Sequence, residues 1–347
     1  MPTSVTIGLR AWLDPIFYFI GYLLTSRKPK DIIVTEIKPY LSVVIPAYNE
    51  ADHIGECLNA LRDQNCAQEK YEVIVVDNKS TDGTLEIVQQ YNVELLARQA
   101  GNVGKIRNLG AQKAKGAVLA FIDADCIVDS DWITRAIKLS TDNPTTVFGG
   151  GCLLPPNPTA VEKYWLLGNS ETRLPKDLIG ASIVLRKESF KKIDGFDESV
   201  TSGEDTALSR SATTTGLVVR ITGELSVVHN GNAKTYSEFA KRQAWHGENY
   251  IRDVASSMKD PTFIIILFSL ASLSLALLTA IFSLIEWRFL FIVLFFSAPI
   301  VFSVKRIVRG RVTPPLTALP IIYALDFVYV QARSYSLLKS IFSTFRP

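Results

Sequence analysis

Residues 118–125 read Val-Leu-Ala-Phe-Ile-Asp-Ala-Asp, a run of five apolar residues followed by two carboxylates at positions i and i+2. A short apolar run that ends at a turn is typical of a buried strand. The two carboxylates aim into one cleft where the chain leaves the sheet, and they repel each other unless a divalent cation or a sugar hydroxyl lies between them. Hard cations such as Mg²⁺ and Mn²⁺ take one or two carboxylates together with substrate phosphates. Asp123 and Asp125 are therefore predicted to line a ligand site.

Three further apolar runs of this kind precede that stretch, at residues 41–45, 73–76 and 93–96. Helix-like segments separate the runs, and this alternation predicts an α/β fold, Rossmann-like, with a mostly parallel sheet and helices on both faces. Ligands bind at the carboxyl ends of the strands in such sheets. Residues Pro46–Glu50, Asp77 and Asp123–Asp125 are therefore expected along one rim.

A glycine-containing segment, residues 101–108, lies at the next junction between a strand and a helix. Its glycines and its basic residues Lys105 and Arg107 suit the neighbourhood of a phosphate. The segment matches neither a Walker loop nor the G-x-G-x-x-G pattern of dinucleotide-binding proteins.

The amino-acid composition of the chain excludes some classes of protein. Of the 347 residues, 48% are hydrophobic and 20% are charged, which is enough apolar material for a core and excludes a disordered chain. The net charge is only +3, and the basic excess lies in residues 262–347, so a nucleic-acid partner is not expected. The four cysteines form no CxxC pair, and this predicts scattered core residues in a reducing compartment.

The region 262–347 is dominated by apolar runs and is predicted to be a membrane region. Residues 262–285 carry no charge and are long enough for the ~20 residues that a spanning helix needs. A second uncharged run, residues 289–304, follows after three residues and completes a predicted helical hairpin, where buried helices of a soluble domain are the alternative. The basic loop at residues 305–311 comes next, and the positive-inside rule predicts that this loop and the domain at residues 41–255 face the cytoplasm.

Two apolar segments remain ambiguous in the sequence. The segment at about 316–330 contains Asp326, and it either spans the membrane or lies in the interface. The amphiphilic lead, residues 1–40, contains the run from Trp12 to Leu24, which is short for a span, carries no signal-peptide cleavage pattern, and is predicted to be an in-plane membrane anchor.

The ordered motifs of residues 41–250 resemble those of the family 2 glycosyltransferases, which have the GT-A fold. The motifs that carry this resemblance are Pro46-Ala-Tyr-Asn-Glu50, Val75-Val-Asp77, Asp82-Gly-Thr84, Arg107-Asn-Leu-Gly110, Asp123-Ala-Asp125, Gly180-Ala-Ser182, Gly195-Phe-Asp-Glu198 and Gly203-Glu-Asp-Thr-Ala-Leu208. The resemblance implies a catalytic domain over residues 41–255 and a nucleotide-sugar donor such as a UDP- or GDP-sugar, and it does not identify the sugar.

The resemblance also implies roles for individual residues. The nucleotide would contact Pro46, Ala47, Tyr48, Glu50 and Asp77, together with Lys105, Arg107 and Asp123. A divalent cation, Mn²⁺ or Mg²⁺, would bind Asp125. Asp205, with Glu204 beside it, would supply the catalytic base. Gly180 and Ala181 would lie on the acceptor side.

His229 and the segment at residues 241–246 each have two interpretations. His229 ends an apolar strand-like run, where it is either a structural histidine or a metal or diphosphate ligand of the kind some related enzymes carry. Residues 241–246 lie where processive polysaccharide synthases carry Gln-x-x-Arg-Trp, but the order here differs, which favours a non-processive enzyme. Arg242 and Trp245 then either line the acceptor side or lie at the membrane interface.

Together these features predict an inverting transferase at the inner (cytoplasmic) membrane, multi-pass, with its catalytic domain in the cytoplasm. It would move a single sugar to a hydroxyl of a lipid-linked or membrane-proximal acceptor in polysaccharide or glycolipid assembly. A polyprenyl-phosphate glycosyltransferase is the alternative enzyme, and a non-catalytic nucleotide-sugar-binding membrane protein is the alternative of another class. The pair Glu204-Asp205 favours a hydroxyl acceptor, because a phosphate acceptor is already charged and needs no strong base.

Overall fold

The computed structural model describes residues 39–167, 174–247, 250, 254–282, 284–310 and 312–344. The predicted in-plane anchor, from Trp12 to Leu24, lies outside the described residues, as does all of the lead except residues 39 and 40.

Strands in the described part of the chain are β1 Leu41–Ala47, β2 Tyr71–Asp77, β3 Glu94–Leu96, β4 Val118–Ile122, β5 Cys126–Ile127, β6 Thr146–Gly149, β7 Cys152–Leu153, β8 Ser182–Arg186, β9 Val218–Ile221 and β10 Val227–His229. Helices in the same part are α1 Ile54–Arg62, α2 Thr84–Val88, α3 Val103–Lys113, α4 Trp132–Asp142, α5 Ala160–Trp165, α6 Lys187–Lys192, α7 Glu204–Thr214, α8 Tyr236–Gly247, α9 Val254–Ser257, α10 Pro261–Ile281, α11 Ile285–Gly310 and α12 Leu319–Thr344.

Seven strands form the main sheet, in the order β3-β2-β1-β4-β8-β6-β9. The strands β3, β2, β1 and β4 are parallel, whereas β8 runs antiparallel to both β4 and β6. The register pairs Ala47 with Asp77 at the carboxyl ends of β1 and β2, so the predicted rim exists. The predicted α/β fold with a mostly parallel sheet is confirmed.

Side chains of β1 alternate between two apolar clusters, one on each face of the sheet. Val43 and Ile45 pack in a cluster with α1 and α4, while Val44 packs in a cluster with α3, α6 and α7. All three valine and isoleucine side chains are fully buried. A strand covered on both faces is apolar along most of its length, and residues 41–45 are apolar except for Ser42.

A second sheet of three strands, in the order β5-β10-β7, lies beside the rim. Its antiparallel register pairs His229 of β10 with Cys126 of β5. Because Cys126 directly follows Asp125, this small sheet brings His229 next to the Asp123-Ala-Asp125 motif although about a hundred residues separate them in sequence.

The apolar C-terminal runs form two packed helices, α10 and α11, that are long and apolar enough to cross a membrane. Helix α10 ends at Ile281 and α11 begins at Ile285, so Glu286 and Arg288, predicted as the link, belong instead to the first turn of α11. The basic segment predicted as a loop is helical up to Gly310, because the apolar surface of α11 continues past Lys305 to Val308.

The third apolar segment lies in α12, which packs against α8, α11, α10 and α5. Asp326, the residue that made this segment ambiguous, is fully buried in that packing and pairs with Arg306 of α11. Helix α12 therefore connects the α/β domain to the hairpin, and the charge of Asp326 is neutralised inside the protein by Arg306.

Candidate active site

A cleft of about 840 Å³ opens at the rim of the main sheet. Its lining includes most of the predicted site residues: Pro46, Ala47, Tyr48, Glu50, Arg107, Asp123, Asp125, Gly180, Glu204, Asp205, His229, Arg242 and Trp245. A slightly larger groove of about 890 Å³ lies between α3 and α6, and its lining residues include none of those predictions. The first cleft is the candidate site because it lies at the ends of the strands and is lined by the predicted residues, although the second groove is slightly larger.

The loops that follow β1 and β2 hold each other in place at one side of the cleft. The backbone N–H of Asn49 donates to the Ser80 hydroxyl at 2.9 Å, and the N–H of Thr81 donates to the Asn49 side chain at 2.8 Å. Asn49 adopts φ +55°, a left-handed conformation that Asn tolerates better than most residues. The locked loop leaves the Tyr48 ring 58% exposed at the cleft.

Asp77, predicted to contact the nucleotide, is not among the residues that line the cleft. Its side chain is fully buried, and its carboxylate accepts backbone N–H groups of Lys79, Ser80 and Arg98 at 3.0–3.1 Å. A buried carboxylate needs such donors, and here they fold the chain after β2 around it. Asp77 therefore shapes the loop beside the cleft instead of lining it.

Arg107 joins the two halves of the cleft. Its guanidinium donates to Asp123 and to Glu204, at 2.5 Å each, and its side chain is only 2% exposed. The terminal nitrogens of Arg107 are thus bound to protein carboxylates, which disfavours the predicted contact with the nucleotide phosphates although Arg107 lines the cleft. Lys105, on the same helix, is exposed and lies outside the cleft lining.

The ion pair with Arg107 also separates the roles of Glu204 and Asp205. Glu204 is 7% exposed, and its carboxylate accepts a hydrogen bond from Arg107. Asp205 accepts backbone N–H groups of Gly180 at 3.1 Å and of Thr206 at 2.6 Å, which orient its carboxylate at the cleft. Burial and then the charge of Glu204 raise the pKa of Asp205 above the usual aspartate range.

Asp125 and His229 form the candidate metal centre. The His229 Nε2 atom lies 3.5 Å from Asp125 Oδ1, and the ligand atoms of Asp125, Cys126 and His229 all lie within 4.8 Å of one another. His229 Nδ1 is buried without a hydrogen-bond partner among the described residues. Burial raises the pKa of the Cys126 thiol well above its usual range.

The backbone around Gly231 covers Asp125, a contact that was not predicted from the sequence. A Cβ atom on Gly231 would collide with the Asp125 carboxylate, so only glycine allows the loop after β10 to approach so closely. The Arg242 guanidinium donates to the Gly231 carbonyl at 2.6 Å and fixes that loop. The sequence signal available for this contact was Gly231, a glycine two residues after the candidate ligand His229.

Negative charge exceeds positive charge in the cleft. The lining carries the carboxylates of Asp123, Asp125, Glu204 and Asp205, together with the carboxyl group of Glu50, against the guanidinium groups of Arg107 and Arg242. Burial, followed by the charges of Asp125 and Asp123, raises the pKa of Glu50 to about 8. Such a cleft repels an anionic diphosphate unless a cation enters with it, and the oxygen and imidazole donors at Asp125 and His229 fit Mn²⁺ or Mg²⁺.

Helix α8 forms the wall of the cleft that faces the apolar helices. Arg242, Trp245 and His246 line the cleft, and the Trp245 ring is 44% exposed there, which favours the acceptor side over the membrane interface. Gln243 faces the other way and accepts a hydrogen bond from Arg333 of α12 at 3.2 Å. Burial and then the charges of Arg333 and Arg242 lower the pKa of His246 to about 4, so its ring is neutral near pH 7.

A side cavity of about 470 Å³ adjoins the cleft and shares Asp123, Gly180 and His229 with it. Ala181, predicted on the acceptor side, lines this side cavity and not the main cleft. Leu166, directly after helix α5, forms another part of its wall. The side cavity therefore extends the site from the predicted metal ligands towards the region packed on α12.

Comparisons with known proteins agree with this geometry. The sequence model described as glycosyl transferase family 2 matches residues 42–193. The chain is 32% identical to the glycosyltransferase AglE of Haloferax volcanii over 232 residues, which are 63% of the chain and 75% of that protein. It is 39% identical over 114 residues, 31% of the chain, to a poly(ribitol-phosphate) beta-glucosyltransferase of Bacillus spizizenii, but spans only 18% of that protein's length.

Among solved structures, the mannosyltransferase PcManGT of Pyrobaculum calidifontis, in complex with GDP-Man and Mn²⁺, aligns over 95% of both chains. The TM-score is 0.55 at 17% sequence identity, so this likeness concerns the fold alone. The aligned 95% of the chain includes both the α/β domain and the C-terminal helices described above.

Proposed function

Because the chain belongs to glycosyltransferase family 2, we propose that it is an inverting enzyme that transfers a single sugar from a UDP- or GDP-sugar to a hydroxyl of a lipid-linked or membrane-proximal acceptor. One observation carries this proposal: the oriented carboxylate of Asp205 shares a cleft of about 840 Å³ with Asp123 and Asp125. A proton acceptor and a donor-binding motif are thus available to the same bound substrate.

The donor would lie along the rim of the sheet. Ala47, Tyr48 and Glu50 would contact the base and the ribose, with the half-exposed Tyr48 ring as a flat apolar surface. Asn102 and Val103 line the cleft where α3 begins, and the first N–H groups of an 11-residue helix favour a negatively charged group at that end. This helix end replaces Lys105 and Arg107 as the predicted phosphate contact.

Asp125 and His229 would hold the divalent cation. When bound, the cation supplies positive charge that neutralises the diphosphate leaving group. Asp123 is held by Arg107 and stays 29% exposed in its side chain, so it keeps a free oxygen face for the sugar or ribose hydroxyls.

Asp205 would act as the general base. As the acceptor oxygen bonds to the anomeric carbon, its proton moves to the Asp205 carboxylate and the bond to the diphosphate breaks on the opposite face, which inverts the anomeric centre. The N–H groups of Gly180 and Thr206 hold the carboxylate in place, and its raised pKa improves its affinity for the proton.

The acceptor would reach the site from the membrane side. Gly180 and Ala181 line the adjoining cavities, and Arg242 and Trp245 line the wall formed by α8. The apolar side chains of α10 and α11 are largely exposed, for example Ile281 at 73% and Val293 at 64%, which suits burial in lipid. We place the catalytic domain at the cytoplasmic face of the membrane, in polysaccharide or glycolipid assembly.

A panel of nucleotide sugars tests the proposal with the full chain purified in detergent. We expect slow hydrolysis of one UDP- or GDP-sugar that requires Mg²⁺ or Mn²⁺ and is lost in Asp125→Ala. Binding of a nucleotide sugar without turnover on any acceptor fraction would instead support a non-catalytic binding protein. Transfer to a polyprenyl phosphate that is insensitive to Asp205→Asn would support the alternative enzyme.

A further inference from the structure

The loop that follows strand β10, residues 230–232, passes directly over Asp125. The backbone N–H of Asn230 donates to the Asp125 carbonyl at 2.9 Å. A Cβ atom built on Gly231 would lie 1.8 Å from Asp125 Oδ2, so the backbone of the loop packs against this carboxylate. The position of the loop therefore limits where the Asp125 oxygens can point.

Arg242 of helix α8 ties this loop to a helix outside it. Its guanidinium donates to the Gly231 carbonyl at 2.6 Å, across eleven residues of sequence. The Asn232 side chain donates to the His229 carbonyl at 2.7 Å, which is a contact within the turn itself. A hydrogen bond from a charged donor is stronger than one between neutral groups, so the Arg242 contact is the stronger of the two.

Helix α8 gives Arg242 a firm base. Phe239, three residues before Arg242, is 1% exposed and packs in an apolar cluster with residues of α5 and α12. Gln243, the next residue, is 4% exposed and accepts a hydrogen bond from Arg333 at 3.2 Å. The helix is thus held by its neighbours on the sides that face away from the loop, and Arg242 transmits that fixed position to Gly231.

A buried carboxylate lies beside Arg242. Glu162 of α5 is 2% exposed, and its Oε2 atom accepts the backbone N–H and the hydroxyl of Thr159 at 2.7 and 2.9 Å. Its Oε1 atom is buried without a hydrogen-bond partner among the described residues. A buried carboxylate is costly without a partner. Glu162 and Arg242 line the same small cavity of about 40 Å³, so Arg242 is the cation placed to offset this charge.

The small cavity can join the two groups. Its volume of about 40 Å³ exceeds the roughly 10–15 Å³ that one water needs, and a water held between polar groups bridges them almost as well as a direct hydrogen bond. Asn232 of the loop and Gln243 of α8 add further polar groups to its lining. The cavity therefore lies where α5, α8 and the loop over Asp125 meet.

We propose that Arg242 is a positioning residue for the metal centre, with Glu162 as its buried counter-charge. The guanidinium holds the loop after β10 against Asp125 and so keeps the Asp125 carboxylate beside His229, whose Nε2 atom lies 3.5 Å from Asp125 Oδ1. Residues that support a metal ligand in this way strengthen metal binding. The inference rests on the proposed function, in which Asp125 and His229 hold the cation, and it gives Arg242 a role besides lining the acceptor wall.

The direction of the change in metal affinity separates this role from a simple effect of charge. Arg242 lines the same cleft as Asp125. By charge alone, removal of Arg242 should strengthen the binding of a cation, because like charges repel each other. If Arg242 positions Asp125, its removal should weaken binding instead, by about tenfold or more, as is usual when the support of a metal ligand is lost.

The test titrates the full chain in detergent with Mn²⁺, alone and with UDP or GDP, and follows free Mn²⁺ by electron paramagnetic resonance. We expect Arg242→Met to weaken binding about tenfold or more, and Arg242→Lys to lose less because it keeps a charged donor. Lys241→Met removes an exposed cation from the preceding position of α8 and, as the matched control, should stay within twofold of the wild type. Glu162→Gln should weaken binding in the wild type but not further in Arg242→Met, because its effect passes through Arg242.

Two further measurements examine the loop itself. Hydrogen–deuterium exchange without metal should be faster at residues 230–232 in Arg242→Met than in the wild type, and unchanged in Lys241→Met. Gly231→Ala leaves Arg242 in place but puts a methyl group against the Asp125 carboxylate, so it should also weaken Mn²⁺ binding. This variant tests the loop independently if Arg242→Met does not fold.

The proposal is overturned if folded Arg242→Met binds Mn²⁺ as tightly as the wild type or more tightly, or if Lys241→Met loses as much affinity as Arg242→Met. Unchanged Mn²⁺ binding by Gly231→Ala, or equal loop exchange in Arg242→Met and the wild type, would overturn it as well. Absence of Mn²⁺ binding by the wild type would instead refute the metal centre of the proposed function, and the exchange measurement would still decide whether Arg242 holds the loop.

Discussion

Replacement of Arg107 by methionine should destabilise the protein strongly. The guanidinium is buried between Asp123 and Glu204, and it is the contact through which the strand that carries the Asp123 motif holds the start of α7. Methionine fills similar volume but carries no charge, so both carboxylates lose their partner. Glu204, with a side chain only 9% exposed, cannot recover its solvation from water.

The size of this effect follows from burial. Removing one partner of a buried ion pair costs about 3–5 kcal/mol, because the remaining charge is left uncompensated. Asp123 is 29% exposed and is partly rehydrated, so most of the loss comes from Glu204. At about 2–4 °C per kcal/mol for a protein of roughly this size, the unfolding midpoint should fall by about 6–20 °C.

Thermal unfolding of the full chain in detergent, followed by circular dichroism, measures this change. Arg62→Met is the matched control: Arg62 pairs with Asp63 on the surface, and its loss should leave the midpoint unchanged. The second substitution Glu204→Gln, added to Arg107→Met, should restore part of the loss because it removes the stranded charge. If Arg107→Met unfolds at the same temperature as Arg62→Met, the bridge does not exist as described.

Three further results are expected. Mn²⁺ or Mg²⁺ should raise the unfolding midpoint of the wild type by mass action and should not do so for Asp125→Ala; equal stabilisation of both proteins would remove Asp125 from the metal centre. Once the native cysteines are replaced, single cysteines can be placed at the two exposed ends of α11, at Arg309 and at Trp287, and they should react with an impermeant reagent from opposite sides of the membrane. Position 287 should be accessible from outside the cell, and labelling of position 309 from outside would contradict the topology. Burial raises the pKa of Asp205, and the base must be ionised to act. On acidification kcat should therefore fall at a pH above the ordinary aspartate pKa of about 3.9, and a fall only at or below that pKa would argue against this base.

Local sequence patterns predicted the parts of this structure that depend on neighbouring residues. Mostly apolar runs of four or five residues identified β1, β2 and β4, since a strand covered on both faces is apolar along most of its length. The strand ends then placed Pro46–Glu50 and Asp123–Asp125 on one rim, because the carboxyl ends of parallel strands share an edge.

Contacts between distant residues were not predictable in the same way. Arg107 was predicted to be a phosphate ligand because its sequence neighbours do not reveal its ion-pair partner. That partner, Glu204, lies 97 residues further along the chain. Asp77 looked like a ligand contact because nothing in the sequence shows that three backbone N–H groups turn towards it. The turn of the hairpin was misplaced to Glu286–Arg288 because charge suggested a loop, whereas the first turn of α11 tolerates both charges at its exposed end.

The role of Asp205 is the central claim, and turnover of Asp205→Asn on an identified hydroxyl acceptor tests it most directly. The amide keeps the shape of the side chain and one hydrogen-bonding oxygen but cannot take a proton from the acceptor. We predict unchanged donor affinity, an unfolding midpoint close to that of the wild type, and a kcat lower by roughly 10²-fold or more, the usual size of a general-base contribution. Unchanged turnover by a folded, donor-binding Asp205→Asn enzyme would contradict the account.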